Sequence, residues 1–174
     1  VPIGNAGNVT AVMEGFLDLL RLGMIKRLPL LVGVQSRHAN PVYLWKQRGT
    51  YEPVKVTSSV AQAAMIGNPV SFPKVRRLVE EHFRERFAVV EVTEQQIMDA
   101  MLTANRHGHV ICTQGGEGVA GLSAALRAGF ARVSIEDADV LTERRPSLPA
   151  GGANLLPPPG SFLQASAEAE AEME

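Results

Sequence analysis

Two short apolar runs constrain this chain more than any other feature. They are Leu30-Leu31-Val32-Gly33-Val34 and the stretch from Phe87 to Val92. The first is apolar throughout rather than alternating, the pattern of a strand covered on both faces. Helical patterns separate the runs, and strands that alternate with helices pair in parallel. The expectation is an α/β fold: a partial three-layer αβα sandwich with a mostly parallel sheet. In such sheets ligands sit at the carboxyl ends of the strands.

The helices follow from spacing. Val9, Val12, Met13, Phe16, Leu17 and Leu20 form one apolar stripe at helical period, with Asn8 as a candidate N-cap and Gly23 as a stop. Pro41 opens a helix through Trp45 and Lys46, and residues 49–59 read as loop. A short helix is expected over 60–65. Pro73 starts another, with Val75, Leu78, Val79 and Phe83 on one face. Thr93-Glu94-Gln95-Gln96 is a capping-box pattern ahead of a helix that buries Ile97, Met98, Met101 and Leu102. Val110-Ile111-Cys112 reads as a third short strand with Cys112 as a buried core thiol, Gly115-Gly116-Glu117-Gly118 as a turn, and 119–126 as a last helix.

From about Ala131 the character changes. Proline recurs, including Pro157-Pro158-Pro159, and the chain ends in an alternating Ala/Glu run. Residues 1–133 are expected to form the ordered domain and 134–174 a low-complexity, disordered tail.

Net charge is -1 and Lys and Arg are scattered, so no basic stripe points to nucleic acid. No apolar run approaches the length of a membrane span. The single cysteine excludes an internal disulfide and fits a reducing compartment, so a cytoplasmic location is expected. His107, His109 and Cys112 lack the spacing of a zinc site, and no metal is expected. Val1-Pro2-Ile3 reads as the end of a buried strand, so the chain is expected to be a piece of something longer.

The segment that carries chemistry is Gly4-Asn5-Ala6-Gly7-Asn8, between that strand and the first helix. Glycines let the backbone turn tightly with its N–H groups inward, and the helix adds its positive end. Together they suit a phosphate dianion. No Lys-Ser/Thr follows, so this is not a nucleotide P-loop. The spacing alone also fits a plain glycine turn with an Asn cap.

The run from Val1 to Ala11 resembles the phosphate-cradling loop of threonine synthases, within the tryptophan-synthase-β structural group of pyridoxal-phosphate enzymes. Ile66-Gly67-Asn68-Pro69-Val70-Ser71, the 92–97 junction and Ile111-Cys112-Thr113-Gln114-Gly115-Gly116-Glu117 resemble family segments in the same order. The resemblance implies that residues 1–133 are the C-terminal part of a fold-type II catalytic domain. Gly4, Asn5, Ala6, Gly7 and Asn8 would hold the cofactor phosphate, and Thr113 and Glu117 would lie near its ring. It further implies conversion of O-phospho-L-homoserine and water to L-threonine and phosphate, and a possible homodimer. The family's Schiff-base lysine lies in a segment that none of Lys26, Lys46, Lys55 and Lys74 matches, so no catalytic residue is assigned. Two rival readings stay open: a serine or threonine dehydratase of the same group, and a non-catalytic phosphate-ligand binding fragment. Glu117 also has a plain alternative, as a carboxylate at a helix N-terminus.

Overall fold

The computed structural model describes residues 1–127 and, beyond them, the backbone of 132–135, 138–142, 148–150 and 153–155. The chain divides into two compact units, Val1–Gly121 and Leu122–Glu174.

The first unit is built on three parallel extended segments. Strand β1 (Leu31–Ser36) pairs in parallel with β2 (Phe87–Val92), Leu31 opposite Phe87 and Ser36 opposite Val92. Residues 1–3 run parallel along the other edge of β1. Ile3 N–H donates to the Val34 carbonyl and Val34 N–H to the Val1 carbonyl, both at 2.9 Å. Both faces of β1 are covered. A Cβ on Gly33 would lie 2.3 Å from the Ile3 side chain, and on the opposite face a Cβ on Gly121 would meet Val34 at 2.9 Å. The expected strand pairing and two-sided cover are both present.

Helix α1 (Gly7–Arg21) buries Val9, Met13 and Leu17, the predicted stripe. It starts one residue ahead of the expected cap. Ala6 precedes it in the left-handed conformation, φ 66°, and no side chain caps it, so Asn8 lies inside the first turn. Helix α2 (Pro41–Arg48) begins at its proline as expected. The buried Gln35 reaches from β1 to this helix: its Oε1 accepts from the N–H groups of Val42 and Tyr43 at 2.9 and 3.0 Å. Its Nε2 donates to the Ile3 carbonyl at 3.1 Å. One strand side chain therefore supplies both a helix cap and a clamp on the segment that feeds the 4–8 loop.

Residues 60–65 form less helix than expected, a single 3-10 turn at Gln62–Ala64. Helix α3 (Phe72–Leu78) passes into a π-helical turn, Val79–Phe83, and Val75, Leu78, Val79 and Phe83 are all buried. Trp45 meets Phe72 edge-on at 5.2 Å and Tyr51 stacks on it at 3.6 Å, which fastens α2 and the following loop to α3. Helix α4 (Glu94–Arg106) carries the predicted capping box, with Thr93 and Gln96 each answering the other's backbone N–H. Only Ile97 of its four expected apolar residues is fully buried, and Leu102 is 41% exposed.

Two corrections fall near the end of this unit. Val110-Ile111-Cys112 is not a strand: the segment has no regular structure, Val110 is 91% exposed and Cys112 is exposed rather than buried. The glycine-rich stretch after it is not a turn but the opening of helix α5 (Thr113–Arg127). Glycine is a poor helix former, and the packing explains the exception. A Cβ on Gly116 would lie 2.6 Å from the Ile97 carbonyl, and one on Gly118 would touch Pro2 at 3.4 Å. Without side chains at these positions the helix backbone seats directly on α4 and on the edge strand.

In the second unit β3 (Arg132–Ile135) pairs antiparallel with β4 (Ala138–Thr142), and β5 (Leu148–Ala150) with β6 (Ala153–Leu155). The rest of 134–174, where the sequence leads to disorder, lies outside the described residues.

Candidate anion and cofactor site

The edge strand delivers residues 4–8 to the carboxyl end of the sheet, where they line a cavity of about 480 Å³. Pro2, Gly4, Asn5, Ala6, Gly7 and Asn8 form one side, Ala63 and Ala64 another, and Gln114, Gly115 and Glu117 of α5 the third. The loop fits a phosphate group on the structure's own evidence. The first-turn N–H groups of α1 have no intrahelical acceptors, and no side chain caps them. Gly7 has open space where a Cβ would stand. Gly4 is closed in instead: a Cβ there would meet the Ala63 carbonyl and Ala64 Cα at 3.3 Å. Glycine at position 4 thus lets the loop lie against the 3-10 turn.

The loop is held from outside. Asn5 does not offer its carbonyl oxygen to the cavity. Its Oδ1 accepts from Val70 N–H at 2.8 Å and its main-chain carbonyl from Ser71 N–H at 3.2 Å. The Thr10 hydroxyl bonds back to the Gly7 and Ala6 carbonyls at 2.7 and 3.1 Å.

Of the residues singled out from sequence, the structure brings Gly4, Asn5, Ala6, Gly7, Asn8 and Glu117 to the lining of one cavity. Thr113 is not in it; the next two residues of α5, Gln114 and Gly115, are. Ala63 and Ala64 had no sequence signal beyond small size, because their position depends on a segment fixed by long-range contacts. Those contacts centre on Glu94. Its carboxylate accepts from the Ser36 hydroxyl at 2.6 Å, the Ser59 hydroxyl at 3.0 Å and Val60 N–H at 2.6 Å. Burial pushes the Glu94 pKa up. The Ser36, Val60 and Ser59 hydrogen bonds, with His38 3.8 Å away, more than offset this and leave it lowered.

Glu117 is the electrostatic exception. Its side chain is fully buried, Oε1 accepts from Ser36 N–H at 2.8 Å, and Oε2 has no hydrogen-bond partner. Burial, helped by the nearby Glu94 carboxylate, outweighs the opposing pull of Ser36 N–H and the Val1 ammonium and raises its pKa to about 7. Ser36 thus joins two carboxyl groups of opposite tendency, through its hydroxyl on one side and its N–H on the other.

Residues 1–135 match the family model described as pyridoxal-phosphate dependent enzyme. The chain belongs to the pyridoxal-phosphate-dependent enzyme family. It is 36% identical over 132 residues to threonine synthase 2, chloroplastic, of Arabidopsis thaliana, covering 74% of this chain and 25% of that protein. Among solved structures it resembles threonine synthase from Escherichia coli, with a TM-score of 0.56, 19% identity and coverage of 71% of this chain and 28% of the other. It equally resembles a fungal L-serine ammonia-lyase from Rhizomucor miehei, with a TM-score of 0.57, 19% identity and coverage of 73% and 38%. The fold is therefore that of the fold-type II enzymes, and the family's cofactor is pyridoxal phosphate. The chain spans 25 to 34% of the length of the curated relatives it matches first.

Proposed function

We propose that this chain carries the phosphate-holding part of a threonine-synthase-type site, acting in the conversion of O-phospho-L-homoserine and water to L-threonine and phosphate. The observation that carries the reading is the uncapped first turn of α1, which opens with the 4–8 loop onto the cavity. The relatives named threonine synthase at 30 to 36% identity support the substrate class. When bound, pyridoxal phosphate supplies an electron sink that makes C–H bonds of an amino-acid substrate acidic. The chain's own residues bind and orient. N–H groups of residues 4–8 take the phosphate, Gly4 sets the loop against Ala63 and Ala64, and Asn5 anchors it to residues 70 and 71.

None of the four lysines lines the cavity. Lys74 is paired with Glu14 at 2.7 Å, and Lys46 lies over the Trp45 ring. The chain by itself therefore binds the cofactor through its phosphate without turning substrate over. Titration of the full chain with pyridoxal phosphate, then borohydride reduction and mass mapping, tests this. The expected result is binding that inorganic phosphate competes away, with no unique lysine adduct. A single stoichiometric adduct on one lysine sinks the reading. The ammonia-lyase likeness favours a dehydratase as the second reading, and trials of O-phosphohomoserine against threonine on the whole enzyme separate the two.

A further inference from the structure

The cavity poses an electrostatic problem that the phosphate reading leaves unanswered. One wall is a cup for a dianion, and another contains a buried carboxyl group with one oxygen unpartnered. Glu117 cannot swing away freely. Its Oε1 is fixed to Ser36 N–H at the end of β1, and the next residue, Gly118, packs against Pro2 of the strand that delivers the cup.

Few charges face it. From α4 comes Glu94, negative and bonded to the same serine; beyond it lies His38, 3.8 Å from the Glu94 carboxylate. From the edge strand comes the Val1 ammonium, which donates to the Val32 carbonyl at 2.7 Å. A dianion in the cavity and a charged Glu117 carboxylate buried in its lining repel strongly, because a buried charge is poorly screened. A neutral carboxylic acid does not repel, and it has an O–H to donate. Oε2 is the free oxygen on which that hydrogen can sit.

We propose that Glu117 is the proton-carrying wall of the anion site: when a dianion enters the cup formed by residues 4–8, one proton passes from water to Glu117 Oε2 and stays there. No bond to the anion forms or breaks. The carboxyl turns from a repelling group into a neutral donor, and anion capture becomes proton-linked. The inference rests on the phosphate-cup reading and adds to it the protonation state the site requires.

Sulfate is the probe, because it remains a dianion over the whole working range and contributes no titration of its own. Sulfate is titrated into the full chain from about pH 5.5 to about pH 8.5, followed by the backbone amide signals of residues 4–8. The apparent Kd is expected to rise by up to about tenfold per pH unit above about pH 7. In Glu117→Gln, which keeps an acceptor for Ser36 N–H, the slope is expected to vanish, with sulfate held more tightly than by the parent chain at high pH. Calorimetry of the unsubstituted chain at about pH 8.5, in two buffers of different ionisation enthalpy, needs no variant and should show about one proton taken up per sulfate. A slope that persists in Glu117→Gln assigns the linkage to another group and overturns the proposal, as does zero proton uptake at about pH 8.5. Absence of sulfate-induced shifts in residues 4–8 at every pH overturns the cup reading itself, and the proposal with it.

Discussion

Single residues in this chain set opposite pH dependences a few ångströms apart. Glu117 has its pKa raised by burial from 4.5 to about 7, so the folded state holds its proton more tightly than the unfolded state. That contribution to stability is complete below about pH 4.5 and is lost as pH rises to about 7, on the order of 3 kcal/mol in all. Urea unfolding across this window should show the decline, and Glu117→Gln should flatten it. Glu94 works the other way. Its pKa is lowered, so its contribution is present above its ordinary value and lost as pH falls. Asn8→Asp separates binding from folding. A carboxylate in the first turn of α1 should stabilise the helix by about 0.3–1 kcal/mol and yet repel an anion from the cup. Thermal unfolding and phosphate titration of the same variant should therefore move in opposite directions.

At the scale of elements, glycine has two meanings that the sequence does not separate. Gly15 lies in the middle of α1 with nothing within 4 Å of a would-be Cβ, so Gly15→Ala should stabilise by about 0.5–1 kcal/mol. Gly121 in α5 faces Val34 at 2.9 Å, so Gly121→Ala should destabilise by about 1–3 kcal/mol in denaturant unfolding. The same distinction marks what was legible in the chain. The parallel strands, the α1 stripe and the Thr93–Gln96 box were readable because periodicity and capping are local. Helix α5 was not, because its glycines are tolerated only through contact with Ile97, Pro2 and Val34. The apolar triplet 110–112 misled because three residues carry no period. At the site, the glycine turn of the 4–8 loop and the helix that follows it were readable, and the structure places them on the cavity. The wall at Ala63 and Ala64 depends on hydrogen bonds from Ser59 and Val60 to a glutamate more than thirty positions away, and no local pattern announces it.

At the scale of the whole molecule, a ligand that binds only the folded state adds its binding free energy to stability. Phosphate or sulfate at about a hundred times its Kd should raise stability by about 2.7 kcal/mol, visible as a higher Tm. Asn8→Asp should lose that rise while keeping its own modest gain. The pairing of residues 1–3 with β1 reaches further still. The cup's position is set by main-chain hydrogen bonds at Val1, Ile3 and Val34 and by the Gln35 amide beneath them, and none of these belongs to residues 4–8. Location is thus encoded largely outside the loop, with Gly4 and Asn5 as the loop's own share. Such a loop is in part interchangeable: residues 7 and 8 can be rewritten, by selection or by design, while the frame that aims them, Gly4 and Asn5 included, stays as it is.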